Sequence, residues 1–144
     1  LMASGYTPAA ERNQQQPAMS GRPQSAASGC SEMTLSGTPE QCLLWLAPVL
    51  RELANAPGSR WLTLLNPPAL ISHSWLRTAG LDPQRILIVR SKSSMSTARL
   101  CQDLLQLGCS HTVVSWLECS PALGVQLGNA ARKGGCRHLN IRMP

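Results

Sequence analysis

Trp61-Leu62-Thr63-Leu64-Leu65-Asn66-Pro67-Pro68 is the stretch on which the fold turns. A short apolar run without alternation fits a strand buried on both faces, and the Asn-Pro-Pro that follows ends it, since proline cannot donate to a ladder. Working toward the C-terminus, Arg85 leads a second such run, Ile86-Leu87-Ile88-Val89, and His111 to Leu117 forms a third. The segments between them have helical spacing. Leu70, Ile71, Trp75, Leu76 and Ala79 predict one helix, stopped by Gly80; Leu100, Cys101, Leu104 and Leu107 predict another over 98–107, closed by Gly108. Ser91 to Ser96 reads as a polar loop. Ser120-Pro121 opens a helix running to about Arg132, its end marked by Arg132, Lys133 and Gly134-Gly135, and His138 to Met143 is a last, alternating strand. Toward the N-terminus, Thr38-Pro39-Glu40-Gln41 carries a helix cap, a first-turn proline and a capping-box glutamine. Leu43, Leu46, Leu50 and Leu53 continue that helix until Ala56-Pro57-Gly58, with Pro48 expected to kink it or shorten its ladder. Apolar strands alternating with helices predict an α/β fold: a mostly parallel sheet with helices on both faces and right-handed crossovers.

The chain has 144 residues, the size of one domain. Residues 1–37 are rich in Ser, Gly, Pro, Gln and Ala, too poor in branched apolar side chains to offset the entropy of ordering, so a disordered tail is expected, with the domain at 38–144. That tail is neutral, Arg12 and Arg22 against Glu11 and Glu32, which leaves the net charge of +6 on the domain. A basic domain suits an acidic partner. Four tryptophans, one tyrosine and no phenylalanine supply no series of stacking platforms, which argues against nucleic acid. The cysteines at 30, 42, 101, 109, 119 and 136 show no CxxC spacing and read as reduced, mostly core residues. With no secretory leader and no apolar run approaching the roughly 20 residues of a membrane helix, a cytoplasmic protein that does not engage the membrane is expected.

The chemistry of the sequence is notable for what it omits. Neither G-x-x-x-x-G-K-[ST] nor G-x-G-x-x-G occurs, and Gly134-Gly135 precedes a strand, where a phosphate cradle needs a strand-to-helix turn. Glu118 falls beyond the third strand, out of place for a magnesium ligand. Cys136 lies two residues from His138 and Cys109 two from His111, but neither pair has an evident group to orient the histidine. The expectation is no catalytic residue, no cofactor and no metal. Core packing is expected for Trp61 and Trp116. Trp75, beside Arg77, has the character of a core residue or of an interface anchor. Arg60 and Arg85 each precede a strand, which in a parallel sheet puts both on one edge, away from the usual ligand crevice.

Together these residues carry a resemblance. Ser59-Arg60-Trp61, the strand ending at Leu65, Asn66-Pro67-Pro68, Ser74-Trp75, Ala79-Gly80-Leu81, Arg85 before its strand, Thr112-Val113-Val114, Trp116-Leu117 and Ile141-Arg142 resemble the SulA family from about residue 40 onward, and Ser4-Gly5-Tyr6 resembles a SulA start. SulA is similar in turn to a RecA-like core without nucleotide chemistry: residues 39–56 would match the helix after the P-loop, and the P-loop strand would be absent, replaced by the tail. The resemblance implies an SOS-induced inhibitor of division that binds FtsZ and blocks its polymerisation and GTPase activity, with Arg60, Leu65, Trp75 and Arg85 at positions important for inhibition. It implies Lon protease as a further partner through a tail after the last strand, which Arg142-Met143-Pro144 would leave missing or much reduced. A domain short of an edge strand is also expected to cover its edge as a homodimer. An ImuA-like accessory of SOS mutagenesis, also similar to RecA, is the alternative.

Overall fold

The computed structural model describes residues 30–92 and 96–144. The N-terminal scrap Ser4-Gly5-Tyr6, most of the expected tail and part of the Ser91–Ser96 loop lie outside the described residues. Among the described residues, five strands and four helices follow one another as β1 (Cys30–Thr34), α1 (Pro39–Ala54), β2 (Trp61–Leu65), α2 (His73–Thr78), a 3-10 turn (Pro83–Arg85), β3 (Ile86–Val89), α3 (Thr97–Leu107), β4 (Ser110–Ser115), α4 (Pro121–Gly134) and β5 (Arg137–Arg142). Every strand pairing is parallel, in the order β1-β5-β4-β2-β3.

Side-chain alternation along the inner strands feeds two cores. Leu62, Leu64, Val114, Leu139 and Ile141 pack beneath α1 and α2 with Leu46, Leu50 and Leu76. Leu65 and Val113 point the other way, against Cys101 and Leu105 of α3 and Leu127 and Ala131 of α4. The expected α/β architecture, with helices on both faces of the sheet, is therefore the one observed.

α1 begins as its sequence dictates. Gln41 N–H donates to Thr38 Oγ1 at 3.2 Å and Thr38 N–H donates to Gln41 Oε1 at 2.9 Å, a complete capping box. The helix runs through Pro48 to Ala54, because Pro48 lies on the solvent face, where water can meet the carbonyl it leaves unbonded. α3 and α4 stop at left-handed glycines, Gly108 and Gly135. A side chain at Gly134 would collide with the Leu105 carbonyl, so this glycine is what lets the ends of α3 and α4 approach.

Three expectations are corrected. The first is the boundary of the tail. Residues 30–34 form an edge strand, paired with β5 from Cys30↔His138 to Thr34↔Arg142, and Leu35 N–H extends the ladder to the Arg142 carbonyl at 2.8 Å. Order thus starts by residue 30, and the strand placed directly before the helix at 39 is present rather than lost. It was hidden because an edge strand needs only one buried face, and only Met33 of its five residues is fully buried. Second, residues 66–72 are irregular: Ser72 caps α2 by accepting from Trp75 N–H, which delays the helix to His73 and leaves Leu70 exposed. Third, Trp61 is 38% exposed at the start of β2 rather than in the core. Trp116 lies just past β4, half-buried against the α1–α2 core.

Candidate functional site

The residues singled out from sequence fall into two groups. β2 and β3 are neighbours with Leu62 opposite Ile86, so Arg60 and Arg85 are carried to the same amino edge of the sheet. Both are exposed. Leu65 sits at the opposite end of β2, fully buried in the α3–α4 core, where it can shape a surface but cannot touch a partner. Trp75 is half-buried on α2, packed against the α1–α2 core.

What holds the arginines is backbone. Arg60 Nη1 donates to the Gly135 carbonyl at 2.9 Å, at the end of α4, and to the Ser110 carbonyl at 3.4 Å. Arg85 Nη2 donates to the Ala56 carbonyl at 3.2 Å, just past α1, and Arg51 Nη1 to the Ala79 carbonyl at 2.6 Å, at the end of α2. Each guanidinium thus serves the carbonyl end of a different helix, where the macrodipole favours a cation. Carbonyls leave the positive charge uncompensated. Among the described residues none of Arg60, Arg85 and Arg137 pairs with a carboxylate; the ion pair there joins Arg99 and Asp103 on α3 at 3.4 Å.

One residue of this edge, Arg137, escaped the sequence reading, and another, His111, was weighed only beside Cys109. Arg137 opens β5 as Arg60 and Arg85 open their strands, a signal that was available. His111, second residue of β4, has its pKa lowered by burial and then by the charges of Arg60, Arg85 and Arg137. Its expected neighbour Cys109 is exposed, and its Nδ1 meets Thr112 Oγ1 at 3.0 Å instead.

The other histidine considered, His138, is buried on the α3–α4 face of β5. Its ring contacts Cys30 Sγ (3.3 Å from Nδ1), Ser115 Oγ (2.8 Å from Nε2) and Cys101 Sγ (3.7 Å from Nε2), not Cys136. Ser115 donates to Asn140 Oδ1 at 2.8 Å, so its oxygen accepts from Nε2–H, and Nδ1 is left to accept from the Cys30 thiol. Asn140 continues the network, donating to Glu32 Oε2 at 3.1 Å and the Leu117 carbonyl at 2.9 Å and accepting from Leu117 N–H at 2.8 Å. Burial lowers His138 to a pKa of about 4 and raises the Cys30 thiol, the reverse of the shifts that make a thiolate–imidazolium nucleophile. This network ties strands together. Among the described residues no group of three or more His, Cys, Asp or Glu side chains could hold a metal.

At the carboxyl ends of the strands, where an α/β sheet usually binds its ligand, β1 joins α1 through Leu35-Ser36-Gly37-Thr38. The N–H groups of Thr38 and Gln41, at the point where a phosphate would seat, are engaged by the capping box. Trp116 lies after β4, where a magnesium-binding acid would stand in a RecA-like core.

The family model "Cell division inhibitor SulA" matches residues 30–137. A curated cell division inhibitor SulA of Pseudomonas aeruginosa is 51% identical over 114 residues, covering 78% of this chain and 71% of the relative. One from Yersinia pestis is 33% identical over 72 residues, covering 50% of this chain and 42% of the relative. The crystal structure of SulA from Pseudomonas aeruginosa is similar with a TM-score of 0.76 and 50% identity, covering 81% of this chain and 98% of that one.

Proposed function

Since this chain belongs to the SulA family of cell division inhibitors, we propose that it stops division by binding FtsZ and blocking its polymerisation, and with it GTP hydrolysis, after SOS induction in the cytoplasm. The observation that carries this reading is the amino edge of the sheet: Arg60 and Arg85, on adjacent strands, exposed and without acidic partners. Such an edge complements an acidic protein surface. Trp75 contributes from α2 as a partly exposed anchor, and Leu65 supports the site from beneath. No helix among the described residues is long and apolar enough to cross a membrane. Self-association is proposed through β3, which among the described residues has a strand on one side only. Degradation by Lon is proposed as the route of removal. The ImuA-like alternative has no observation in its favour.

The test is sedimentation of FtsZ with GTP in the presence of each variant. Arg60→Ala and Arg85→Ala are expected to weaken inhibition by at least about 30-fold, as truncated interface arginines commonly do. Circular dichroism must accompany it, because both side chains also hold helix ends. Folded variants that inhibit as well as the parent would make these arginines helix caps and nothing more.

A further inference from the structure

At the amino edge, β2, β4 and β5 lie side by side, with Trp61 opposite Ser110 and Thr112 opposite Arg137. This pairing brings Arg60, His111 and Arg137 to the mouth of one open cavity of about 560 Å³, lined also by Glu52, Asn55 and Gly135. Arg60 is fixed there by its two carbonyl bonds. Arg137 is exposed and, among the described residues, has no hydrogen bond or ion pair from its guanidinium. His111 has Nδ1 engaged by Thr112, which leaves Nε2 for a visitor.

We propose that this cavity binds a small oxyanion, a carboxylate or a phosphoryl group, between the guanidinium groups of Arg60 and Arg137, with His111 as a further donor. Two arginines lining the cavity outnumber its one acid, Glu52, and Arg85 adds its field from the neighbouring strand. Guanidinium forks match the paired oxygens of either group. Burial first and then the three arginines depress the pKa of His111; an anion that neutralises the arginines raises it, and by reciprocity a protonated His111 tightens anion binding. Affinity therefore rises as pH falls and His111 takes up its proton. Glu52 opposes the anion throughout. The proposal stands on the cavity alone and does not depend on which protein the chain inhibits.

The experiment follows the ring signals of His111 by NMR in the full chain, titrated with sodium acetate and separately with sodium sulfate, both ionised above pH 6. Sodium chloride at matched ionic strength is the control. The expected result is a saturable rise in the His111 pKa with acetate or sulfate and none with chloride. Tighter acetate would assign a carboxylate, tighter sulfate a phosphoryl group. Arg137→Gln, at an exposed strand end, should weaken binding by at least about fivefold, the effect of one unit charge at about 4 Å under full solvent screening. Glu52→Gln should tighten it. Arg99→Gln, paired with Asp103 on α3, should change nothing. An equal pKa change in chloride, or binding unaltered by both Arg137→Gln and Glu52→Gln, overturns the site.

Discussion

The two edges of the sheet are built on opposite terms. β3 is four apolar residues, Ile86 to Val89, and it is fixed at its end by backbone and a turn: Asn66 N–H donates to the Val89 carbonyl at 2.8 Å, and the Asn66 side chain brackets Ser91, accepting from its N–H and donating to its Oγ, both at 2.8 Å. β1 is Cys30-Ser31-Glu32-Met33-Thr34, mostly polar, and it is fixed by side chains reaching across the sheet: Cys30 to His138 and Glu32 to Asn140. Hydrophobic burial acts along β3, whereas on the β1 side it acts through Met33 and the following Leu35 and leaves the polar residues needing a further anchor. A polar edge strand is held when its polar atoms complete a network that its neighbour would otherwise leave buried and unsatisfied.

This contrast can be broken most severely from the β1 side. A chain starting at Gly37 loses β1 together with Met33 and Leu35, both fully buried, and uncovers His138 and Asn140. Burial of two such side chains is worth about 3–6 kcal/mol, much of the margin of a small domain. Urea unfolding should show that loss or a chain that does not fold; a midpoint within error of the parent would mean β1 is dispensable.

Acid should act next, on β5, the strand with which β1 pairs. His138 titrates at about 4 in the folded protein against 6.5 unfolded. A depressed imidazole binds more protons unfolded, so its contribution is whole above 6.5 and disappears as pH falls from 6.5 toward 4. The full loss is about 3 kcal/mol. Protonation also puts a second donor against the Cys30 thiol. Denaturation at pH 7 and pH 4.5 should show the decline, and His138→Gln should flatten it relative to the parent.

The mildest change belongs to β3. Leu87 is 37% exposed on the open edge, so Leu87→Lys should shift stability by less than about 0.5 kcal/mol. It should nonetheless abolish self-association if that edge pairs with a second copy, since edge lysines block strand pairing. Sedimentation velocity of parent and variant decides; equal association in both would move the contact elsewhere.

How much of this was legible follows from what each element asks of its residues. β2, β3 and β4 are buried by their own apolar runs, and the caps at Thr38, Ser96 and Ser120 satisfy N–H groups three residues away. Such signals are local, and all but the cap at Ser96 were read from the sequence. β1 was not, because its partners lie 108 residues away and its fitness depends on Asn140 and His138. At the amino edge, Arg60 and Arg85 were placed together by strand direction alone. Arg137 met the same criterion and was passed over. Leu65 and Trp75 show the limit of position-based inference, for one is sealed in the core and the other half-covered by it.

The arginine clasps on the three helix ends have one more consequence, which concerns freedom of motion. A long side chain that is disordered before association surrenders about 0.5–1.5 kcal/mol of entropy when a partner immobilises it. Arg60 and Arg85 are already leashed to carbonyls before anything arrives, so much of that ordering happens as the domain folds. The same leash sets the angle at which the remaining guanidinium donors face outward. Lysine at either place would keep the charge yet lack the second arm, and would have to choose between the helix and the visitor.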